Sequence, residues 1–147
     1  MKGTYALLIE VKKNIDIRIG KLGRFKISKG NYIYVGSGKN NLEKRIERHL
    51  RKEKRKFWHI DYLLGAPGVK VKNFWVKERE EECLLARKIA SSKMFKIPVP
   101  GFGSSDCKCK AHLFLILKEG GEEEILRQSN FLKNPWKTTT SKEENHN

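Results

Sequence analysis

Tyr34-Val-Gly-Ser-Gly-Lys-Asn-Asn-Leu-Glu-Lys-Arg-Ile-Glu-Arg-His-Leu50 changes its hydrophobic period halfway along. The β-rich run Asn31 to Val35 reads as a strand, and Gly36-Ser37-Gly38 stops it. Asn40 or Asn41 can then cap a helix running from Leu42 to about Lys54, with Leu42, Ile46 and Leu50 as its buried stripe. Arg45 and His49, four residues apart, flank that stripe and can reach a common ligand. Lys44, Arg48, Arg51, Lys52 and Arg55 cover the outer face, and with Lys39 they stand beside the glycine turn, well placed to meet phosphates.

On the N-terminal side, Thr4 to Val11 is a second β-rich run and reads as a buried strand, not as a secretory leader. Asn14 to Gly30 alternates apolar and polar residues around Gly20 and Gly23, as a hairpin or extended arm would, and carries Arg18, Lys21, Arg24, Lys26 and Lys29. On the C-terminal side, Trp58 to Leu64 is a short helix stopped by Gly65-Ala66-Pro67-Gly68, and Val69 to Lys77 is a strand. A helix is expected from Glu78 to about Met94, a loop from Pro98 to Ser105 and a strand from His112 to Leu117. A short acidic helix begins near Gly120, and residues 138–147 are expected to be disordered.

Within the helix after Lys77, a turn of about 100° per residue places Cys83, Ala86, Ile89 and Ala90 on one stripe with Leu85 at its margin. Glu82 falls inside that stripe. A carboxylate facing a core needs a cation, a metal or a proton nearby. A helix start would also favour a carboxylate through the dipole alone.

The chain has 147 residues, enough for one domain with a real core, and a formal net charge of +15. The excess is uneven: residues 11–58 hold 16 Lys or Arg against 4 Asp or Glu. Such a patch favours a polyanionic partner, nucleic acid ahead of an anionic membrane surface. No apolar run is long enough to span a bilayer. Three cysteines give no disulfide framework, which fits a reducing compartment such as the cytoplasm. Cys107, Cys109 and His112 could ligate zinc, but their spacing fits no ribbon or finger. The expectation is a tight turn without zinc, its thiols filling the core, and Cys83 packing in its helix.

The ordered series Gly3-Thr4-Tyr5, Tyr34-Val35-Gly36, a basic helix with Arg45 and His49, and a later helix with Glu82 resembles the GIY-YIG nuclease superfamily. Together with Trp58-His-Ile-Asp-Tyr-Leu63 and Gly101-Phe-Gly-Ser-Ser-Asp-Cys-Lys-Cys-Lys-Ala-His-Leu113, it is similar to the small stand-alone Uri branch, from about Lys2 to Leu117. The resemblance implies an α+β fold, a small and mostly antiparallel sheet flanked by helices, with a nuclease domain over residues 1–118. The remainder, 119–147, would be the acidic helix and tail. It also implies that Tyr5, Tyr34, Arg45, His49 and Glu82 form a catalytic site, with Tyr34 as general base, Arg45 on the scissile phosphate and Glu82 on one magnesium or manganese ion. The spacing from Tyr5 to Tyr34 is longer than the family's hairpin, and Ser37 stands where some relatives carry lysine, Lys39 being the nearest substitute.

That chemistry is coherent. Phosphodiester hydrolysis needs an activated water and neutralised phosphate oxygens, and magnesium accepts a single carboxylate among waters. Forming tyrosinate at pH 7 costs about 4 kcal/mol from an ordinary tyrosine, so His49 stays open as the proton acceptor. The expectation is a metal-dependent endonuclease acting on DNA ahead of RNA, with repair or recombination as its setting. A non-catalytic basic nucleic-acid-binding module is the alternative, and oligomeric state is left open.

Overall fold

Strand β1 (Gly3–Val11) is the axis of the molecule. Its odd-numbered side chains, Tyr5, Leu7, Ile9 and Val11, enter one core, and Ala6 and Leu8 enter a second on the opposite face. This period-2 division, with both faces apolar, places the strand in the middle of a sheet covered on both sides. In the computed structural model, which describes residues 2–52 and 54–136, β1 pairs antiparallel with β4 (Gly30–Gly38) on one side and β5 (Val69–Lys77) on the other.

The six-stranded sheet runs β6-β7-β4-β1-β5-β8, with β6 Phe95–Lys96, β7 Leu113–Ile116 and β8 Leu132–Lys133. All its pairings are antiparallel. Strands β2 (Ile15–Arg18) and β3 (Arg24–Ile27) form a separate hairpin. Helices α1 (Leu42–Leu50) and α2 (His59–Leu64) share the core of Tyr5, Leu7 and Tyr34, whereas α3 (Glu82–Ala90) and α4 (Gly121–Gln128) share that of Ala6, Ile33 and Val35. The fold is α+β, a mostly antiparallel sheet flanked by helices, as expected. Among the described residues no helix is long and apolar enough to cross a membrane.

The hairpin expected in residues 14–30 is present but is no free arm. Ile19 and Ile27 are fully buried, and Ile15, Ile17, Leu22 and Phe25 pack against the core. Its basic residues Arg18, Lys21, Arg24, Lys26 and Lys29 all lie on the exposed side.

Three helix ends differ from expectation: the end of α1, the start of α3, and the end of α3, which stops at Ala90 and not near Met94. Helix α1 is capped by Asn41, whose side chain accepts from the Lys44 amide at 3.0 Å, but it ends at Leu50 and not near Lys54. Lys52 instead donates to the carbonyls of Leu64, Ala66 and Val69 at 2.6–3.0 Å, closing the end of α2. Helix α3 begins at Glu82 and not at Glu78. The Thr4 hydroxyl donates to the Arg79 carbonyl and accepts from the Glu81 amide, both at 2.7 Å, holding residues 79–81 in a turn. In α3 the buried stripe is Leu85, Ala86 and Ile89; Ala90 is exposed.

The residues after 118 pack onto the same sheet. Ile125, Leu126 and Phe131 belong to the α3-side core, and β8 pairs with β5, anchored by Asn134, which exchanges hydrogen bonds with Phe74 at 2.7 and 2.9 Å. Alternation could not reveal a two-residue strand, so β8 and β6 escaped the sequence. The tail expected to be disordered, 138–147, lies outside the described residues.

Candidate active site

The register of β1 against β4 sets the two tyrosines side by side. Leu7 faces Tyr34 and Tyr5 faces Gly36, so both phenols project on the α1 side with ring centroids 6.3 Å apart. Gly36 is there because the Tyr5 ring crosses over it: a Cβ at this position would lie 2.3 Å from the ring's Cζ and hydroxyl oxygen. The Tyr-Val-Gly spacing is thus a packing requirement of the first tyrosine on the second strand.

Helix α1 delivers His49 and Arg45 to this face. His49 is only 2% exposed, with Nε2 2.6 Å from the Tyr5 hydroxyl and Nδ1 buried without a hydrogen-bond partner. Burial pushes the His49 pKa down to about 3, with the attraction of Asp61 outweighed. Burial also pushes the Tyr5 pKa well up, the nearby Tyr34 adding to the effect and Arg45 opposing it. The pair is therefore a neutral imidazole against a neutral phenol at pH 7, and His49 is a poor proton acceptor.

A stability test follows from that burial. An unfolded histidine takes a proton below about pH 6.5, whereas the folded one refuses it until about pH 3, so folding stability falls with decreasing pH between those values. The lost stability should reach roughly 3–5 kcal/mol near pH 3. Denaturant unfolding at pH 7, 5.5 and 4 should show the wild type weakening over this window more steeply than His49→Gln. Equal slopes for the two proteins would refute the buried neutral histidine.

Arg45 Nη1 donates to the Ser37 carbonyl at 2.9 Å, and its guanidinium sits 4.4 Å from the Trp58 ring centroid. The fork is thereby held across the glycine turn with further N–H donors to offer. Tyr34 packs edge-on against Phe102 and under the 101–104 loop. Burial raises its pKa well above the usual tyrosine range, with the Glu82 charge adding and Arg45 opposing. His59 accepts from the Gly103 amide at 2.8 Å, so α2 ties that loop in place.

Glu82 opens α3 on the face of Leu85, Ala86 and Ile89, as its stripe position required. Its Oε2 lies 3.1 Å from Nδ1 of His112, a residue pinned by backbone hydrogen bonds to Val35 and Phe102. The carboxylate thus finds a partner that helical periodicity could not show. Tyr5, Tyr34, Lys39, Arg45, Trp58 and Glu82 all line one cavity of about 380 Å³, which His112 and Gly103 also border. His49 stands behind Tyr5, not on the cavity wall.

The basic residues divide into two groups. Lys39, Lys44, Arg51 and Arg55 are exposed, and Lys39 reaches the cavity. Arg48 and Lys52, expected to bind nucleic acid, are engaged within the fold, Arg48 half-buried and Lys52 still exposed. Arg48 makes a two-pronged pair with the buried Asp61 at 2.8 and 2.9 Å and donates to the Arg55 carbonyl at 2.9 Å. The three carbonyls above take the Lys52 ammonium. Position on a helix wheel could not distinguish these cations from their solvated neighbours.

The sequence reading missed Trp58, within 4.4 Å of both Arg45 and Arg48, and His112 as the partner of Glu82. It also separated Cys83 from the other cysteines, although Cys83 adjoins Glu82. A family model described as "Domain of unknown function DUF123" matches residues 4–132, and the chain belongs to that family. No curated protein and no solved structure matches it.

Proposed function

We propose that this member of the DUF123 family is a metal-dependent endonuclease that hydrolyses phosphodiester bonds in nucleic acid, DNA ahead of RNA, through GIY-YIG-type chemistry. The observation that carries the reading is the convergence of Tyr5, Tyr34, Arg45 and Glu82, from four separate elements, on one cavity beside an exposed basic face. In a basic protein selected only for binding, a carboxylate and two buried phenols would not need to meet in an open pocket.

In this reading the exposed Lys44, Arg51 and Arg55 track the nucleic-acid backbone, which confers steep salt dependence and little sequence readout. Arg45 neutralises a non-bridging oxygen of the scissile phosphate. Glu82 fits a magnesium or manganese ion through the oxygen not bound to His112, and the ion would supply charge neutralisation and a more acidic water. Tyr34 acts as the base through its tyrosinate fraction, which takes the proton of the attacking water and returns to the phenol. Tyr5, fixed by its hydrogen bond to His49, stands on the cavity wall as a neutral phenol. A cytoplasmic location and a setting in repair or recombination accompany this reading.

The test is incubation of purified protein with nicked, forked and single-stranded DNA and structured RNA, with magnesium, manganese or chelator. Metal-dependent scission is expected, greatest on DNA. Because burial keeps Tyr34 protonated, the rate should rise with pH through pH 9 without a limb near pH 6.5, and Tyr34→Phe should lose about 10²- to 10⁴-fold. Unchanged turnover in Tyr34→Phe would remove Tyr34 as the base.

A second reading, a non-catalytic nucleic-acid-binding module, draws support from the hydrogen bond that occupies one Glu82 oxygen with His112. Binding without metal-dependent scission on every substrate would favour it.

A further inference from the structure

We propose that Cys83, Cys107, Cys109 and His112 form a structural zinc site, with Glu82 as the carboxylate that orients its histidine. The four residues come from two places, the first turn of α3 and the segment leading into β7. Their donor atoms all lie within 4.8 Å of one another. Zinc–sulfur and zinc–nitrogen bonds of about 2.3 and 2.0–2.1 Å give a tetrahedron with edges of about 3.5–3.8 Å. The Cys107 Sγ to His112 Nε2 distance is already 3.5 Å. Closing the rest takes thiol movements of about an ångström, within reach of small side-chain rotations.

Three features select zinc over a chance meeting of thiols. Three cysteines and one histidine make a closed, soft tetrahedral set, as structural zinc sites use. The histidine presents Nε2 to the thiols and turns Nδ1 to the Glu82 carboxylate, the second hydrogen bond that fixes ring and tautomer in zinc-bound histidines. Cys83 is carried on the first turn of a helix, a rigid backbone that fixes where its thiol is presented. None of the three cysteines is in a disulfide.

The spacing looked wrong for zinc only because the fourth ligand stands 24 residues before Cys107. Sheet topology removes that separation: α3 and β7 meet over β4, on the face that carries Ile33 and Val35. Bound zinc would clip the 104–112 segment to α3 and, through His112, fix the direction of Glu82 at the edge of the cavity. The site is full with four protein ligands, so its role is to hold shape. Glu82, Cys83, Cys107 and His112 also line the candidate active-site cavity, but the test of the zinc site uses no substrate and so can fail or succeed apart from the nuclease reading.

Untagged protein grown with zinc and passed through desalting should contain one zinc per chain by elemental analysis. Protein stripped under reducing conditions and titrated with cobalt should develop intense tetrahedral d–d bands and thiolate-to-cobalt charge transfer, reversed by one equivalent of zinc. Cys83→Ser and Cys109→Ser should each abolish the tetrahedral spectrum. Glu82→Ala should keep it and weaken binding by about 10- to 100-fold, as loss of an orienting carboxylate does. Wild-type protein lacking zinc and giving only a weak octahedral cobalt spectrum would overturn the proposal, and so would a Cys83→Ser protein with the wild-type spectrum. Because the wild-type titration alone decides, a variant that misfolds does not rescue the idea.

Discussion

Replacing Glu82 by alanine is expected to reduce magnesium-dependent cleavage by roughly 10³-fold or more, the scale on which stabilisation of developing phosphate charge is lost. Under the proposed function, DNA affinity at fixed salt should stay within about threefold, because the exposed lysines and arginines would supply it. Glu82 touches His112 as well as the cavity, so the alanine variant alone mixes two roles. Glu82→Gln separates them. Its amide oxygen can still accept from Nδ1–H of His112, but it removes the negative charge that a hard cation needs. The expected pattern is loss of cleavage in both variants and near-normal zinc affinity in Glu82→Gln. Full activity in Glu82→Gln would show that this carboxylate holds no catalytic metal. Loss of DNA binding in Glu82→Ala would point to a site deformed and not merely emptied.

Asp61→Ala should cost about 3–5 kcal/mol of folding stability, the range for breaking a buried ion pair by removing one partner. The Asp61 side chain is completely buried and accepts from Arg48 through both oxygens and from the amides of Phe57 and Trp58 at 2.8 and 3.0 Å. The arginine and the two amides hold the Asp61 pKa below the usual carboxylate range, although burial alone would raise it. Deleting the carboxyl strands the Arg48 guanidinium, 17% exposed, and two backbone donors. The same contacts position Trp58 beside Arg45, so the proposed nuclease activity should fall with stability, whereas Arg55→Ala should leave stability nearly unchanged. Chemical denaturation of the three proteins at pH 7 checks this. A shift below about 1 kcal/mol for Asp61→Ala would place this pair among solvated ion pairs of little weight. Asp61 looked in the sequence like an ordinary residue of a short helix. Its importance arises from Arg48, thirteen residues earlier, turning inward.

The contrast between Arg48 and Arg45 shows where sequence reading reaches its limit. Both lie on α1 among cations, yet one is consumed by a buried aspartate and the other faces an open cavity. Which carboxylate or carbonyl an arginine meets depends on the packing of α2, and no local pattern carries that information.

Local regularities were legible because they depend on neighbours in the chain. Apolar, β-rich runs marked β1, β4 and β5, alternation marked the hairpin, a cap at Asn40 or Asn41 marked the start of α1, and the glycines after Leu64 marked the end of α2. Helical spacing put Glu82 on the buried face of α3 before any partner was visible. Tertiary structure alone decided what these residues meet: Tyr5 against His49, Glu82 against His112, Lys52 against the carbonyls closing α2, and Cys83 beside two cysteines far along the chain. Backbone propensities and hydrophobic periods act over a few residues, whereas hydrogen bonds and metal coordination act across a few ångströms of space. Only the registers of β1, β4 and β7 convert the first kind of distance into the second.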